Sequence, residues 1–204
     1  TNWALAFRTI TKALATAQEG SRIHVAVGNY SNDVETFPLP INRVGLQLLG
    51  INSEATVIRA PGNPTQARVL HVENALLCLV SGVTVSGGYM AGMVDGAGAY
   101  INNSPQLTIG SCIFTNNYLY CGGDQNTRGS GLFSVGNTSV TLTNCVVTRN
   151  TGYGTGGHNT GYNRGAGLFV LNGQWSILNC VFRGNYIYCN NLNDGSGAGL
   201  YLEG

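Results

Sequence analysis

One short motif recurs four times from residue 96 onward, and it constrains the fold more than any other feature of this chain. Each copy reads Gly-x-Gly, then an apolar and an aromatic residue, and the first glycines lie 33, 36 and 32 residues apart. A second block, Cys-x-x-x-x-Asn, recurs between the copies. Two blocks that recur in one order with one period predict a solenoid, in which each repeat forms one coil. The copies are Gly96–Tyr100, Gly129–Phe133, Gly165–Phe169 and Gly197–Tyr201.

The repeats favour a β-solenoid over a helical one. Apolar residues alternate in pieces of three to five residues, which are too short for helices, and Gly and Asn separate the pieces. Stacked coils would place equivalent strands about 4.8 Å apart. The sequence therefore predicts inward ladders of identical or similar side chains, with Gly50 and Gly82 at the Cys position of the earlier coils. The ladders are Cys112/Cys145/Cys180, Phe114/Val147/Phe182 and Asn117/Asn150/Asn185.

The N-terminal segment 1–21 is predicted to be a cap. Phe7, Ile10, Leu14 and their neighbours Ala13 and Ala17 fall on one helical face, which predicts a helix over 5–18 closed by Gly20 at the C′ position. Terminal coils of a solenoid need such a cover for their exposed core.

Two parts of the chain resemble known β-helix families. The run from Phe7 to Tyr30 is similar to the entry of right-handed parallel β-helix domains of the pectate-lyase-like superfamily. The later repeats resemble those of chlamydial polymorphic outer-membrane proteins, which combine Gly-Gly-Ala-aliphatic with Phe-x-x-Asn motifs. Phe114–Asn117 and Phe182–Asn185 match the second motif, Val147–Asn150 departs from it at its first residue, and Gly-x-Gly only approximates the first.

This resemblance implies the fold closely and the function loosely. It implies an all-β, right-handed parallel β-helix of about five coils, with residues 1–204 as a single domain, coils over 22–204 and an N-terminal capping helix. Related β-helices serve as polysaccharide lyases and hydrolases, adhesins, and surface or matrix proteins. A chlamydial source is not implied.

The composition limits the classes of partner that we expect this chain to bind. The formal net charge is +1 and only 9% of residues are charged, which argues against a nucleic-acid partner. No apolar run reaches the roughly 20 residues of a membrane span. The last repeat opens a coil at Gly197 without a following Cys-bearing strand. We therefore expect partners at the C-terminal end, either further coils of the same chain or another protein subunit, with a filament as one form of assembly, and polysaccharide as a further partner.

A catalytic edge is one hypothesis for the loops. Four residues lie 12–14 positions after a ladder residue, so stacked coils would align them along one edge, and two arginines precede a Gly-x-Gly. A glycosidase needs two carboxylates about 5–9.5 Å apart, and a lyase needs a base with charge neutralisation. The alternative is that these are turn residues and solvated charges. The candidates are Asp95, Asp124, His158, Asp194, Arg128 and Arg164.

The six cysteines favour buried thiols over disulfides. Parallel stacked side chains hold Cβ atoms farther apart than a disulfide prefers, and three cysteines in one ladder cannot all pair. Cys121 and Cys189 fall two coils apart, and Cys78 has no repeat partner. No C-x-x-C or H-x-x-x-H spacing occurs, so we expect no metal and no cofactor.

Tyrosines and sequons are the remaining candidates. Six tyrosines in the loops could form an aromatic edge for sugar or protein contact, or could pack over the loop bases. They are Tyr118, Tyr120, Tyr153, Tyr162, Tyr186 and Tyr188. Three sequons, at Asn29, Asn102 and Asn137, fall in predicted turns and are candidates for N-glycosylation.

Three features of the sequence favour one function. They are the regular ladders, the low content of charged residues and the lack of a clear general acid and base pair. We expect a secreted or surface-displayed structural or adhesive β-helix without catalysis, extracellular or at the cell surface. The alternative is a polysaccharide lyase or glycoside hydrolase that acts at the loop edge.

Overall fold

The computed structural model is an all-β parallel β-solenoid of about five coils with one helix near its N-terminus. It describes residues 6–122, 126–155, 162–189 and 194–204, and for Asn137 and Asp194 the backbone only. The first half contains α1 (Ile10–Thr16), β1 (Arg22–Val25), β2 (Gly28–Ser31), β3 (Leu39–Ile41), β4 (Gln47–Gly50), β5 (Thr56–Arg59), β6 (Leu70–Glu73), β7 (Leu79–Ser81), β8 (Thr84–Ser86), β9 (Tyr89–Ala91) and β10 (Ala99–Asn102). The second half contains β11 (Leu107–Gly110), β12 (Ile113–Thr115), β13 (Tyr118–Cys121), β14 (Thr127–Arg128), β15 (Leu132–Thr143), β16 (Val146–Thr148), β17 (Thr151–Gly154), β18 (Tyr162–Arg164), β19 (Leu168–Leu178), β20 (Val181–Arg183), β21 (Tyr186–Cys189), β22 (Asp194–Ser196) and β23 (Leu200–Glu203).

These strands form faces that run along the solenoid. Sheet A has two faces, because β15 and β19 are long and each contributes to both. Face A1 contains β3, β6, β10, β23 and the first halves of β15 and β19. Face A2 contains β1, β4, β7, β11 and the second halves. Sheet B contains β2, β5, β8, β12, β16 and β20; sheet C contains β9, β13, β17 and β21; sheet D contains β14, β18 and β22. From β11 onward each coil passes through A2, B, C, D and A1 in that order, whereas β1 to β6 form two coils that use only A2, B and A1.

The two glycines of the Gly-x-Gly motif have different roles, one at a corner of the coil and the other against the Asn ladder. Gly129 sits at a corner with a φ of +62°, in the left-handed region that a side chain disfavours. At Gly131 an added Cβ would lie only 2.9 Å from the amide nitrogen of Asn150. The first glycine therefore makes the corner and the second leaves room for an asparagine, which is why the two sequence blocks recur together.

The Asn ladder joins neighbouring coils by hydrogen bonds in the interior of the solenoid. Asn150 donates to the Phe114 carbonyl at 3.0 Å and to the Asn185 side-chain oxygen at 3.0 Å. Its own oxygen accepts from the side chain and the backbone N–H of Asn117. Phe114, Val147 and Phe182 stack in register beside it. Since Asn117 and Asn150 are fully buried, these hydrogen bonds satisfy polar groups that would otherwise destabilise the fold.

The cysteine ladder lies as predicted in the later coils, but its earlier members are different. Thr84 pairs with Ile113, and the Ile113 N–H donates to the Val83 carbonyl, so Val83 is the equivalent of Cys112. The prediction that placed Gly50 and Gly82 at this position is wrong by one residue. Gly82 instead takes the left-handed corner, with a φ of +68°, which Ser111 takes in the next coil at +51°.

The helix caps the first coil but is shorter than the predicted 5–18. It begins after Thr9, whose hydroxyl accepts from the Lys12 N–H. The buried carboxylate of Glu35 accepts from the N–H groups of Ile10 and Thr11, both at 2.7 Å, and so satisfies the helix start. Extended backbone at Ala17 ends the helix before Gly20. Within the described ranges no helix is long and apolar enough to cross a membrane.

A small second core joins sheets C and D beside the main one. Asn163 is 1% exposed and accepts a hydrogen bond from the Thr127 hydroxyl. Its amide nitrogen lies 3.3 Å from the Tyr188 carbonyl and 3.1 Å from the Cys189 sulfur. Gly154 makes room for this amide between the coils that hold Cys121 and Cys189. These contacts fix sheet C, and with it the tyrosines on its outer face.

Candidate functional site

Two columns of stacked aromatic rings lie on the outer surface of the solenoid. The first is on face A1, where one ring from each coil stands in register. Successive ring centroids are 5.3–5.6 Å apart. We call this column the arginine-covered ladder, and it contains His71, Tyr100, Phe133, Phe169 and Tyr201.

Phe133 and Phe169 point away from the main core, yet both are almost completely buried. The Arg128 guanidinium lies over both rings, 5.0 Å and 5.4 Å from their centroids. Arg68 covers Tyr100 at 4.7 Å, and Arg164 covers Tyr201 at 4.9 Å. The flat guanidinium groups thus shield the rings and gain cation–π attraction. This ladder is therefore closed to solvent at its centre.

An ion pair fixes the central arginine. Arg128 donates to both carboxylate oxygens of Asp95, at 3.0 and 2.6 Å. Arg68 approaches from the other side and donates to the backbone carbonyls of Asp95 and Gly96. Burial raises the pKa of Asp95, and the neighbouring arginines only partly offset this. Burial also works to lower the pKa of Arg128, but the hydrogen bonds and charge of Asp95 outweigh it and raise that pKa.

The catalytic-edge hypothesis is tested only in part. Asp95 lies in register with Arg128, and Arg128 with Arg164 and Ser196 in turn. Asp194 pairs with Tyr162, so its backbone lies two residues away from the Asp95 column. The predicted alignment of these two aspartates is therefore wrong, because the Arg128 and Arg164 positions occupy the register of Asp95. Asp124 and His158 lie outside the described residues.

Sequence reasoning missed several residues on face A1. His71 lies 3.5 Å from Glu73, which also accepts a hydrogen bond from Asn102 at 3.3 Å. Arg68 was missed because it precedes the recognisable repeats. Tyr100 was visible as the aromatic residue that follows the first Gly-x-Gly. That position is the sequence signal for the whole arginine-covered ladder.

The second column lies on the outer face of sheet C. Its rings stack along and between two adjacent registers, with centroids 4.5–6.3 Å apart. The closest pair, Tyr153 and Tyr188, is nearly parallel at 8°. The four strands of sheet C contain no charged residue. We call this column the tyrosine strip, and it contains Tyr89, Tyr118, Tyr120, Tyr153, Tyr186 and Tyr188.

The strip is partly open to solvent. Tyr186 is 56% exposed, whereas Tyr118 is half-buried. Burial and the neighbouring phenols of Tyr153, Tyr89 and Tyr120 raise the pKa of Tyr118. The structure thus brings together five of the six predicted tyrosines and adds Tyr89. Tyr162 lies apart on sheet D, under the Arg164 guanidinium at 4.3 Å.

Comparison with known proteins gives one family. A family model described as "Protein of unknown function (DUF1565)" matches residues 3–190. The chain belongs to this family. A search of curated proteins gives no match.

Solved structures are similar to this chain at low sequence identity. A pectin methylesterase mutant in complex with a hexasaccharide is 15% identical, with a TM-score of 0.46, over 85% of this chain and 63% of that one. An alginate lyase from Paenibacillus sp. str. FPU-7 is 13% identical, with a TM-score of 0.39, over 95% and 94%. ORF18 of Geobacillus virus E2 is 15% identical, with a TM-score of 0.27, over 94% and 59%. The chain spans less than two thirds of the pectin methylesterase.

The cysteines and sequons complete the set of predicted residues. Cys78, Cys112, Cys145, Cys180 and Cys189 carry free thiols. Hydrogen bonding with Cys145, together with burial, raises the pKa of Cys112, which keeps it a neutral core thiol. Within the described residues no group of three or more His, Cys, Asp or Glu side chains could hold a metal ion.

The predicted turn placement of the sequons is wrong, because all three asparagines lie in strands: Asn29 in β2, Asn102 in β10 and Asn137 in β15. Asn29 is exposed on an edge strand of sheet B. The amide of Asn102 is half-buried and bonded to Glu73, and the side chain of Asn137 lies outside the described part of the structure.

Proposed function

We propose that this protein is a non-catalytic structural or adhesive β-helix that works outside the cell or at the cell surface, with the tyrosine strip as its contact surface. The observation that carries the proposal is the strip itself, an uncharged row of six partly exposed tyrosines held in place by a dedicated second core. Tyrosine joins an apolar ring to a polar hydroxyl, which suits it to contact surfaces. A tyrosine side chain has only two torsions, so ordering it at a contact surface loses little conformational entropy.

The state of the carboxylates supports the non-catalytic part. Asp95 is bonded to Arg128 through both oxygens, and Glu35 is bonded to the start of α1. A carboxylate held in this way is less available as a general acid or base, because proton transfer would break a partly buried ion pair or uncap the helix. The structural roles of these two residues therefore favour adhesion over hydrolysis.

A combined adsorption and product assay tests this proposal. The purified protein is incubated with insoluble cell-surface material, sedimented with it, and the supernatant is assayed for new reducing ends and unsaturated sugars. We expect the wild type to adsorb without releasing products. The double variant Tyr153→Ala/Tyr188→Ala should lose about tenfold in affinity, whereas Tyr162→Phe, off the strip, should bind like the wild type.

Two results would refute the proposal. One is time-dependent product release that the Asp95→Asn variant abolishes, which would establish the lyase or hydrolase alternative. The other is equal adsorption of the wild type and the double variant, which would remove the strip as the contact surface.

A further inference from the structure

A groove of about 410 Å³ lies between the capping helix and the first strand of face A2. One wall is formed by α1 and the residues on either side of it, and the other by β1 and its neighbours. Ala13 and Ala17 are half-buried in the first wall and have no side chain beyond Cβ, so they do not fill the space towards β1. The groove shares no residue with the tyrosine strip or the arginine-covered ladder.

The groove has the volume and the length of a short unbranched chain. Its lining includes every residue from Ser21 to Ala26, so it follows β1 for about 17 Å. A water molecule takes about 30 Å³ of liquid, and the groove therefore has room for about a dozen non-hydrogen atoms. Phe7 belongs to the lining and is 55% exposed. An alkyl chain in the groove would cover this apolar surface and remove it from water.

The free edge of β1 supplies the groove with backbone hydrogen-bond donors. β1 is the end strand of its sheet and pairs with β4 on one side. The Ser21 carbonyl accepts from the Gln47 N–H at 2.9 Å, and Ile23, two residues later, faces β4 in the same way. The alternate residues, Arg22 and His24, therefore direct their N–H groups to the open edge, where no strand pairs with them.

The charge of the lining favours an anion. Arg22 lies in the lining and is exposed, and none of the described lining residues is an aspartate or a glutamate. A carboxylate can accept charge-assisted hydrogen bonds from the guanidinium group and from the N–H groups of the β1 edge. Ile10, Ala13 and Ile23 line the groove with apolar surface, which suits a hydrocarbon tail. The groove thus combines an anion-binding edge with an apolar wall.

We propose that this groove binds a medium-chain fatty acid of about ten carbon atoms, with its carboxylate at Arg22 and its alkyl chain between α1 and β1. The inference goes beyond the proposed function, because it concerns a different surface and a different class of ligand. It predicts that both the open space beside Ala13 and the charge of Arg22 are required for full affinity.

Isothermal titration calorimetry of the full chain with decanoate, below the concentration at which it forms micelles, tests the groove. We expect one decanoate per chain, and weaker binding of decanol, which has the same alkyl chain without the charge. Ala13→Leu extends a side chain into the groove and should lose at least about tenfold in affinity for decanoate. Ala15→Leu is the matched control, because Ala15 is exposed on the same helix outside the lining and its variant should bind like the wild type.

A second pair of variants tests the charged end. Arg22→Gln should lose about fivefold in affinity for decanoate and keep the wild-type affinity for decanol. Arg8→Gln is the control, because Arg8 is exposed and lies outside the lining, and neither affinity should change. Arg22 is an exposed residue, so this pair tests the site even if Ala13→Leu does not fold.

Equal affinities of Ala13→Leu and Ala15→Leu for decanoate would overturn the groove as the site. Equal binding of decanoate and decanol, or an unchanged affinity of Arg22→Gln for decanoate, would overturn the anionic ligand. Absence of decanoate binding by the wild type would also overturn the inference, and binding by a variant that lacks residues 1–5 would then identify that segment as the occupant. The adsorption assay of the tyrosine strip uses other variants, so the proposed function stands or falls separately.

Discussion

The arginine-covered ladder and the tyrosine strip are built by the same repeat and end in opposite states. Both stack rings from successive coils, with centroids 4.5–6.3 Å apart, because parallel in-register strands align equivalent side chains. On face A1 arginines cover the rings, and Phe133 and Phe169 are buried. On sheet C every ring of the tyrosine strip carries a hydroxyl, and none of the described arginines lies over one of these rings. Stacking is thus a consequence of the fold, and exposure distinguishes a structural ladder from a contact surface.

Truncating a ring in each ladder gives the largest contrast. Phe169→Ala empties a fully buried site and should lower the free energy of unfolding by about 3–5 kcal/mol. Tyr188→Ala removes a half-buried ring whose stacking on Tyr153 contributes about 1 kcal/mol. Urea unfolding followed by circular dichroism measures both. Similar losses in the two variants would show that the strip is as structural as the arginine-covered ladder, and would break the comparison.

Removing the cover tests why the first ladder is closed. Arg128→Ala exposes Phe133 and Phe169 and leaves the Asp95 carboxylate without its bidentate partner, which should cost about 2–3 kcal/mol. Arg164→Ala is the matched control, because its partner Glu203 lies at the surface and its ion pair contributes less than about 1 kcal/mol. The same unfolding assay ranks them. An Arg128→Ala variant no less stable than Arg164→Ala would show that the cover is incidental.

A smaller effect sharpens the electrostatic part of the comparison. Since burial raises the pKa of Asp95, the folded state holds this proton more tightly than the unfolded state does. The contribution of Asp95 to stability should therefore fall as pH rises from its ordinary pKa of 3.8 through the raised value, and then level off. The difference in unfolding free energy between the wild type and Asp95→Asn isolates this contribution. A difference that grows with pH would mean that Arg128 lowers the pKa of Asp95 below its ordinary value.

The parts of the fold that repeat from coil to coil were the parts that could be predicted from the sequence. The Asn and Phe ladders were predictable because each occurs at the same offset in three coils, and the three copies indicate the same register. The register predicted for Gly82 was wrong by one residue, because a glycine can occupy either a corner or a small core position. Only the pairing of Thr84 with Ile113 shows that Gly82 occupies the corner. The helix was predicted too long, because an apolar face does not reveal that the Glu35 carboxylate fixes its start.

The candidate site was only partly predictable. The tyrosines were visible in the sequence, but their arrangement in two neighbouring registers depends on the pairing of β13 with β17 and of β17 with β21, which the sequence does not reveal. The Asp95–Arg128 pair was likewise hidden, because it joins two coils and its partners are 33 residues apart. Contacts between coils depend on corner positions, which a single sequence fixes only to within a residue or two.

Hydroxyl-radical footprinting with peptide mass spectrometry tests the central claim most directly, because it reports the exposure of both ladders in one experiment. The protein is oxidised with and without the insoluble cell-surface material of the adsorption assay. Our account predicts that Tyr118, Tyr153, Tyr186 and Tyr188 react in the free protein and are protected by the cell-surface material, whereas the reactivity of Tyr100 and Tyr201 does not change. Protection of Tyr100 and Tyr201 with an unchanged strip would place the contact surface on face A1 and contradict the account.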